Sequence, residues 1–177
     1  MSRSNGGPGA SGAHGLEHLG VEECWRLLGE ATLGRLALTD ASGRPDVFPI
    51  NIVAHDGAIY ARSAEGTKLG AIAESPEAAL EVDGEDGEFR WSVVARGQAA
   101  RLETDVDAAT DAEIEASGVL HLASANPSGK PYVIRLRPTT VSGRRIRVDA
   151  SPITGPVSHA KRAQPPRPIP HRPPPQV

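Results

Sequence analysis

Two cations and two hydroxyls cluster in YARSAEGTKLG, residues 60–70, where Arg62 and Ser63 precede a glycine and Thr67 and Lys68 follow it. The first four residues end an alternating apolar run, and Thr67 opens a short helical pattern. A helix start leaves backbone N–H groups without partners and carries partial positive charge, so it holds an oxyanion well. Thr67 can add a hydroxyl, Lys68 a point charge and Arg62 a forked pair of donors, which is the donor set a phosphate takes. The same residues also fit a plain helix start in which Thr67 caps and both cations are solvated. Spacing alone leaves both readings open.

Two other stretches could touch a ligand. Trp91-Ser92 opens a long strand pattern in a chain with only six aromatic residues. A tryptophan there can stack on a flat ring, fill a barrel end or sit in a dimer contact. In PINI, residues 49–52, Pro49 interrupts a strand, and proline belongs at a sheet edge or bulge where neighbouring backbone groups can meet a ligand.

The rest of the chain offers no self-sufficient catalytic set. The histidines are His14, His18, His55, His121, His159 and His171. None forms the helical His-Glu-x-x-His pattern of a zinc hydrolase, and no nucleophile elbow, P-loop or dinucleotide fingerprint occurs. His121 is the one to watch, against an ordinary surface loop histidine. The carboxylates of EVDGEDGE, residues 81–88, lack the spacing of a calcium loop and read as a solvated hairpin tip. Cys24 is the single cysteine, so no intramolecular disulfide or cysteine-based metal site arises, and its place on an apolar stripe reads as core. No metal site and no catalytic acid or base are assigned.

The elements that must position these residues follow from periodicity. LEHLGVEECWRLLGE, 16–30, reads as one helix, with Gly29 a plausible stop. GRLALTD (34–40), DVFPINIVA (46–54) and AIYARS (58–63) read as three strands of an antiparallel meander, the last two joined by the Asp-Gly turn at 55–57. TKLGAIAES (67–75) is a short helix. EAALEVDG (77–84) and FRWSVVARGQAARLE (89–103) are strands, the second with Gly97 marking a bulge or corner. TDVDAATDAEIEAS (104–117) is a helix capped by Thr104 or Asp105, with Val106, Ala109 and Ile114 inward. Residues 118–130 read as loop, and PYVIRLRPTTVSGRRIRVDA (131–150) as strand, Ser142-Gly143 turn, strand. Seven strands in sequential runs with three peripheral helices predict an antiparallel barrel.

Composition bounds the whole. The chain has 177 residues and a net charge of −3, with 19 basic and 22 acidic side chains, which gives no electrostatic case for nucleic acid. No 18-residue apolar run or signal-peptide core appears, so a cytoplasmic protein without a membrane partner is expected. Residues 1–15 are rich in glycine, serine and alanine and residues 151–177 in proline; both read as disordered tails around a folded domain over 16–150.

In order, GRLALTDASGRPDVFPINIV, YARSAEGTKLGAIAESP, VDGEDGEFRWSVVARGQAARLE and VIRLRPTTVSGRRI resemble the split-barrel flavoproteins related to pyridoxamine 5'-phosphate oxidase. The small actinobacterial and nitroimidazole-reductase-like members are the most similar, and the resemblance runs over about residues 17–148. It implies a mainly β, six-stranded antiparallel split barrel that forms a homodimer, with FMN in two grooves at the interface, or a deazaflavin coenzyme in its place. Arg62, Ser63, Thr67 and Lys68 then match the flavin phosphate site. Pro49, Ile50 and Asn51 match the strand along the isoalloxazine ring, and Trp91 and Ser92 match positions reaching the flavin from the partner subunit. The implied activity is oxidation or reduction of a small molecule by hydride transfer at the flavin. The tryptophan and Arg-Leu-His-Asp-Arg run that binds substrate in true pyridoxamine phosphate oxidases is absent, which argues against pyridoxine phosphate as substrate. The alternatives are a flavin or haem carrier or sensor without turnover, for which only His55 and His121 offer a haem ligand inside the fold, and a dimeric module whose proline tail recruits a partner.

Overall fold

The computed structural model describes residues 15–104, 106–122 and 132–148. The expected tails, apart from Gly15, together with Asp105 and most of the 118–130 loop lie outside the described residues. The elements are β1 (Leu16–Leu19), α1 (Val21–Glu30), β2 (Leu33–Thr39), β3 (Pro45–His55), β4 (Ala58–Ser63), α2 (Thr67–Glu74), β5 (Glu77–Asp86), β6 (Phe89–Leu102), α3 (Ala108–Ser117), a 3-10 turn (Val119–His121) and β7 (Tyr132–Arg147). All strand pairs are antiparallel. The order is β1-β7-β4-β3-β2-β5-β6, and β6 also pairs with β7. Six strands therefore join into a ring, and β1 extends it along β7 beyond the end of β4.

Local chemistry accounts for the meander. In β2, Leu36 and Leu38 point inward at 2% and 3% exposure, while their neighbours face outward. Asp56 and Gly57 take φ of 45° and 71°, the left-handed pair that a two-residue hairpin turn requires. At Gly97 the register against β7 shifts, so that Arg96 opposes Thr140 and Gly97 opposes Pro138. That bulge places Pro138 where a missing N–H costs the ladder least.

The ring encloses one apolar core, closed by Cys24, Leu27 and Leu28 of α1 and by Leu69 and Ile72 of α2. Cys24 is fully buried, as its stripe position predicts. A second cluster lies outside the ring, where Ile114 of α3 and Val119 cover Ala58, Tyr60 and Val133. No helix among the described residues is long and apolar enough to cross a membrane.

Three expectations are corrected. Leu16–Leu19 is a strand on the edge of β7, not the first turn of α1, and Leu16 is 48% exposed. Gly20 in extended conformation separates the two elements. Helical spacing in LEHL competed with an open sheet edge, and edge pairing gives the backbone groups that face β7 their partners. The cap of α3 is Asp107, whose carboxylate accepts from the Thr110 N–H at 2.8 Å, while Val106 and Ala109 are exposed. Ser142-Gly143 is not a turn, because β6 on one side and β1 on the other pair straight through it. Gly143 serves packing instead: a Cβ there would stand 2.7 Å from the Cys24 sulfur.

Candidate cofactor site

The start of α2 is built by Gly66. Its φ of 148° is open to glycine alone, and its carbonyl accepts from the N–H groups of Leu69 and Gly70 at 3.1 and 3.3 Å. No side chain caps the helix. Thr67 is the first helical residue rather than a cap, and its side chain is exposed. Lys68 follows, its ammonium 4.8 Å from the centre of the Phe48 ring on β3, with no ion pair among the described residues. A cation held over an aromatic face keeps its position without losing its charge.

Arg62 and Ser63 end β4 on opposite faces of the sheet. The Arg62 Nη1 donates to the Leu120 carbonyl at 3.2 Å, so the 3-10 turn steadies the guanidinium. Ser63 is 1% exposed and donates to the Ala64 carbonyl at 2.8 Å, which ties the bend leading into α2. Beside them, β3 pairs with β4 only from Ile52 to His55. Pro49, Ile50 and Asn51 therefore have strand β2 on one edge and, among the described residues, no strand on the other. Ile50 points into the core, and Pro49 is exposed. Seven of the nine expected residues thus meet at one end of the ring, around β3, β4 and α2.

Trp91 and Ser92 lie on β6, across β2 and β5 from Pro49. Arg62 opposes Val133 on β7, whereas Trp91 opposes Arg145, twelve residues further along the same strand. Across the sheet the route is shorter: Pro49 opposes Arg35, Arg35 opposes Glu81 and Glu81 opposes Val94, three strand spacings of about 4.8 Å, with Trp91 three residues along from Val94. The half-buried Trp91 ring packs over Gly84, where an added Cβ would lie 2.5 Å from the ring. Around Trp91 and Ser92 the surface is concave, with adjoining cavities of about 280 and 390 Å³ that share Ser92 and Arg144.

Sequence reasoning missed Gly66, Arg144 and His18. Gly66 was legible as the glycine directly before a Thr-Lys helix start. Arg144 and His18 carry no local signal, because only the β1–β7–β6 pairing sets them beside Ser92. His121 is exposed on its 3-10 turn. Among the described residues no group of three His, Cys, Asp or Glu side chains could hold a metal. Burial pushes the Cys24 thiol up, aided by the Glu23 carboxylate, which leaves it an inert core group.

The six-strand antiparallel ring, closed by α1 and α2 and flanked by α3, defines a split barrel. The family model described as pyridoxamine 5'-phosphate oxidase matches residues 20–145. A FAD binding protein from Mycobacterium smegmatis is 34% identical, with 73% of this chain and 97% of that one covered and a TM-score of 0.57. A candidate pyridoxamine 5'-phosphate oxidase from Corynebacterium glutamicum is 25% identical over 78% and 99% of the two chains, with a TM-score of 0.62. A FAD-binding protein from Mesorhizobium loti shares the fold at 24% identity, 73% and 97% coverage and a TM-score of 0.63. No curated protein matches. The chain belongs to the pyridoxamine 5'-phosphate oxidase family.

Proposed function

We propose that this protein is a cytoplasmic flavin-dependent oxidoreductase that works as a homodimer on a small-molecule substrate, with FMN as cofactor. The observation that carries this reading is the start of α2. Gly66 opens it, Thr67 and Lys68 supply a hydroxyl and an ammonium there, and Arg62 stands at the end of the preceding strand. All of these groups donate or carry positive charge, which fits a phosphate monoester. The edge of β3 at Pro49–Asn51, which β4 does not cover, suits the ring system next to it. A bound flavin supplies the hydride or electron transfer, while the chain binds and orients it.

The homodimer reading rests on the family, in which Trp91 and Ser92 would serve the flavin of a second copy. The family and the FAD-binding relative at 34% identity support a flavin. A flavin carrier without turnover is the second reading, favoured by that relative's description as a binding protein.

Mass spectrometry of the small molecule released from purified protein tests the cofactor. FMN is the expected mass, and FAD or a deazaflavin coenzyme would replace FMN in the proposal. A colourless protein whose addition leaves the fluorescence of FMN, FAD and deazaflavin unchanged would overturn it. Reoxidation kinetics after reduction of the bound flavin, with and without candidate acceptors, separates an enzyme from a carrier.

A further inference from the structure

We propose that the outer groove between β1, β7 and β6 is a binding subsite for the oxyanion of a small molecule, a carboxylate or a phosphate. The register sets three donors in one row across three strands: His18 opposes Arg144, and Arg144 opposes Ser92. Two residues further along, Val94 opposes Ser142, and after two more comes Arg96. Side chains two apart on a strand share a face, so an imidazole, two guanidinium groups and two hydroxyls project from the same outer surface. The inner face of β6 holds Val93 and Ala95, both fully buried. His18, Ser92, Arg96, Ser142 and Arg144 line a single cavity of about 280 Å³, a size suited to a small ligand or its charged end.

The charge balance of the surface singles out this place. Nine of the described arginines form an ion pair with a carboxylate. Arg96 and Arg144 have neither an ion pair nor a hydrogen bond from the guanidinium among the described residues. Asp83, which opposes Ser92 on β5, is ion-paired with Arg35, and Glu85 and Glu17 are ion-paired with Arg90 and Arg145. In a chain with more acid than base, two uncompensated arginines on one cavity are not needed for the fold. Guanidinium groups left open in a donor-lined cavity match the planar, two-pronged geometry of an oxyanion.

Ser92 lies both in this groove and in the cavity of Trp91. The subsite's role as the place where a substrate's anionic end is held rests on the flavin reading, whereas anion binding itself does not.

The test is calorimetric titration of the full-length protein with inorganic phosphate and, separately, with benzoate. Saturable binding of at least one probe is expected, and the probe that binds identifies the class of oxyanion. Arg96→Ala together with Arg144→Ala should weaken that binding at least tenfold; both side chains are exposed, and the melting temperature checks the fold. Arg62→Ala with Lys68→Ala should leave it in place, as should Arg44→Ala, which removes a like charge elsewhere. Absence of binding by both probes, or binding indifferent to the Arg96/Arg144 change, would overturn the subsite. Should wild-type protein bind no flavin yet lose the anion only in the Arg96/Arg144 variant, the flavin reading falls and the subsite stands.

Discussion

Arg135 on β7 donates through one Nη to both carboxylate oxygens of Glu113 on α3, at 3.0 and 2.8 Å. The Tyr60 hydroxyl of β4 donates to the same carboxylate at 2.7 Å, and the Arg137 guanidinium stands 3.5 Å away. α3 otherwise holds the ring by few buried side chains, chiefly Ile114. This half-buried polar cluster therefore sets where α3, and with it the 3-10 turn that steadies Arg62, docks on the barrel.

Glu113→Gln should lower stability by about 1–3 kcal/mol, because it leaves the Arg135 charge without its counter-ion in a partly dry site. The loss falls short of that for a fully buried pair, since the two side chains remain 19% and 25% exposed. Tyr60→Phe should cost about 1 kcal/mol. The double variant should lose less than the sum, as both changes act on one carboxylate. Urea denaturation followed by circular dichroism measures all three.

The same cluster sets a pH dependence at both ends. Burial first, and then the bond to Glu113, push the Tyr60 hydroxyl up to about 12. A folded pKa above the unfolded one stabilises fully below about pH 10, and that contribution is lost as pH rises from there through about 12. Burial also pushes Glu113 up, but the bonds from Tyr60 and Arg135 and the arginine charges outweigh it and hold the carboxyl below its ordinary value. Its contribution is present above the ordinary carboxylate range and lost as pH falls through the depressed value. Melting temperatures across pH should thus show an alkaline decline that is shallower in Tyr60→Phe.

Two glycines should refuse alanine for different reasons. Gly97→Ala would drive a Cβ into the Arg137 carbonyl and Pro138, both backbone, so a loss of at least about 2 kcal/mol is expected. Gly66→Ala meets open space but has a φ of 148°, so strain of roughly 1–3 kcal/mol falls on the start of α2. Gly66→Ala should consequently weaken flavin binding more than it lowers the melting temperature, and Gly97→Ala the reverse.

Lys68→Ala with Arg62→Ala should weaken FMN binding by about 1.5–3 kcal/mol for each charge-assisted bond removed. Unchanged affinity in a flavin-fluorescence titration would remove the phosphate assignment. Mixing Lys68→Ala with Trp91→Ala protomers provides a second check. A site shared between subunits gives each mixed dimer one intact site and one doubly damaged site, so flavin stoichiometry near half is expected.

How much was legible depended on the range of the forces involved. The β2–β4 meander and the Asp-Gly turn were readable because period-two burial and left-handed turn residues are local properties. Gly97 announced its bulge for the same reason. LEHL and Ser142-Gly143 misled because neighbouring strands, distant in sequence, supplied backbone partners that outweighed local preference. Val106 misled because Asp107 offered a better cap than the residues before it, moving the helix start past the apolar side chain.

By itself the sequence determined the antiparallel β class, the core role of Cys24 and the donor chemistry of Arg62, Thr67 and Lys68, since residue types and short spacings suffice for these. Tertiary structure alone decided that Pro49–Asn51 lies beside Arg62, that Trp91 lies three strands over from Pro49 across β2 and β5, and that His18, Arg144 and Arg96 share one groove. These relations depend on strand register between distant segments. Register is chosen by burying one face of every strand at once, a constraint that no short stretch of sequence contains.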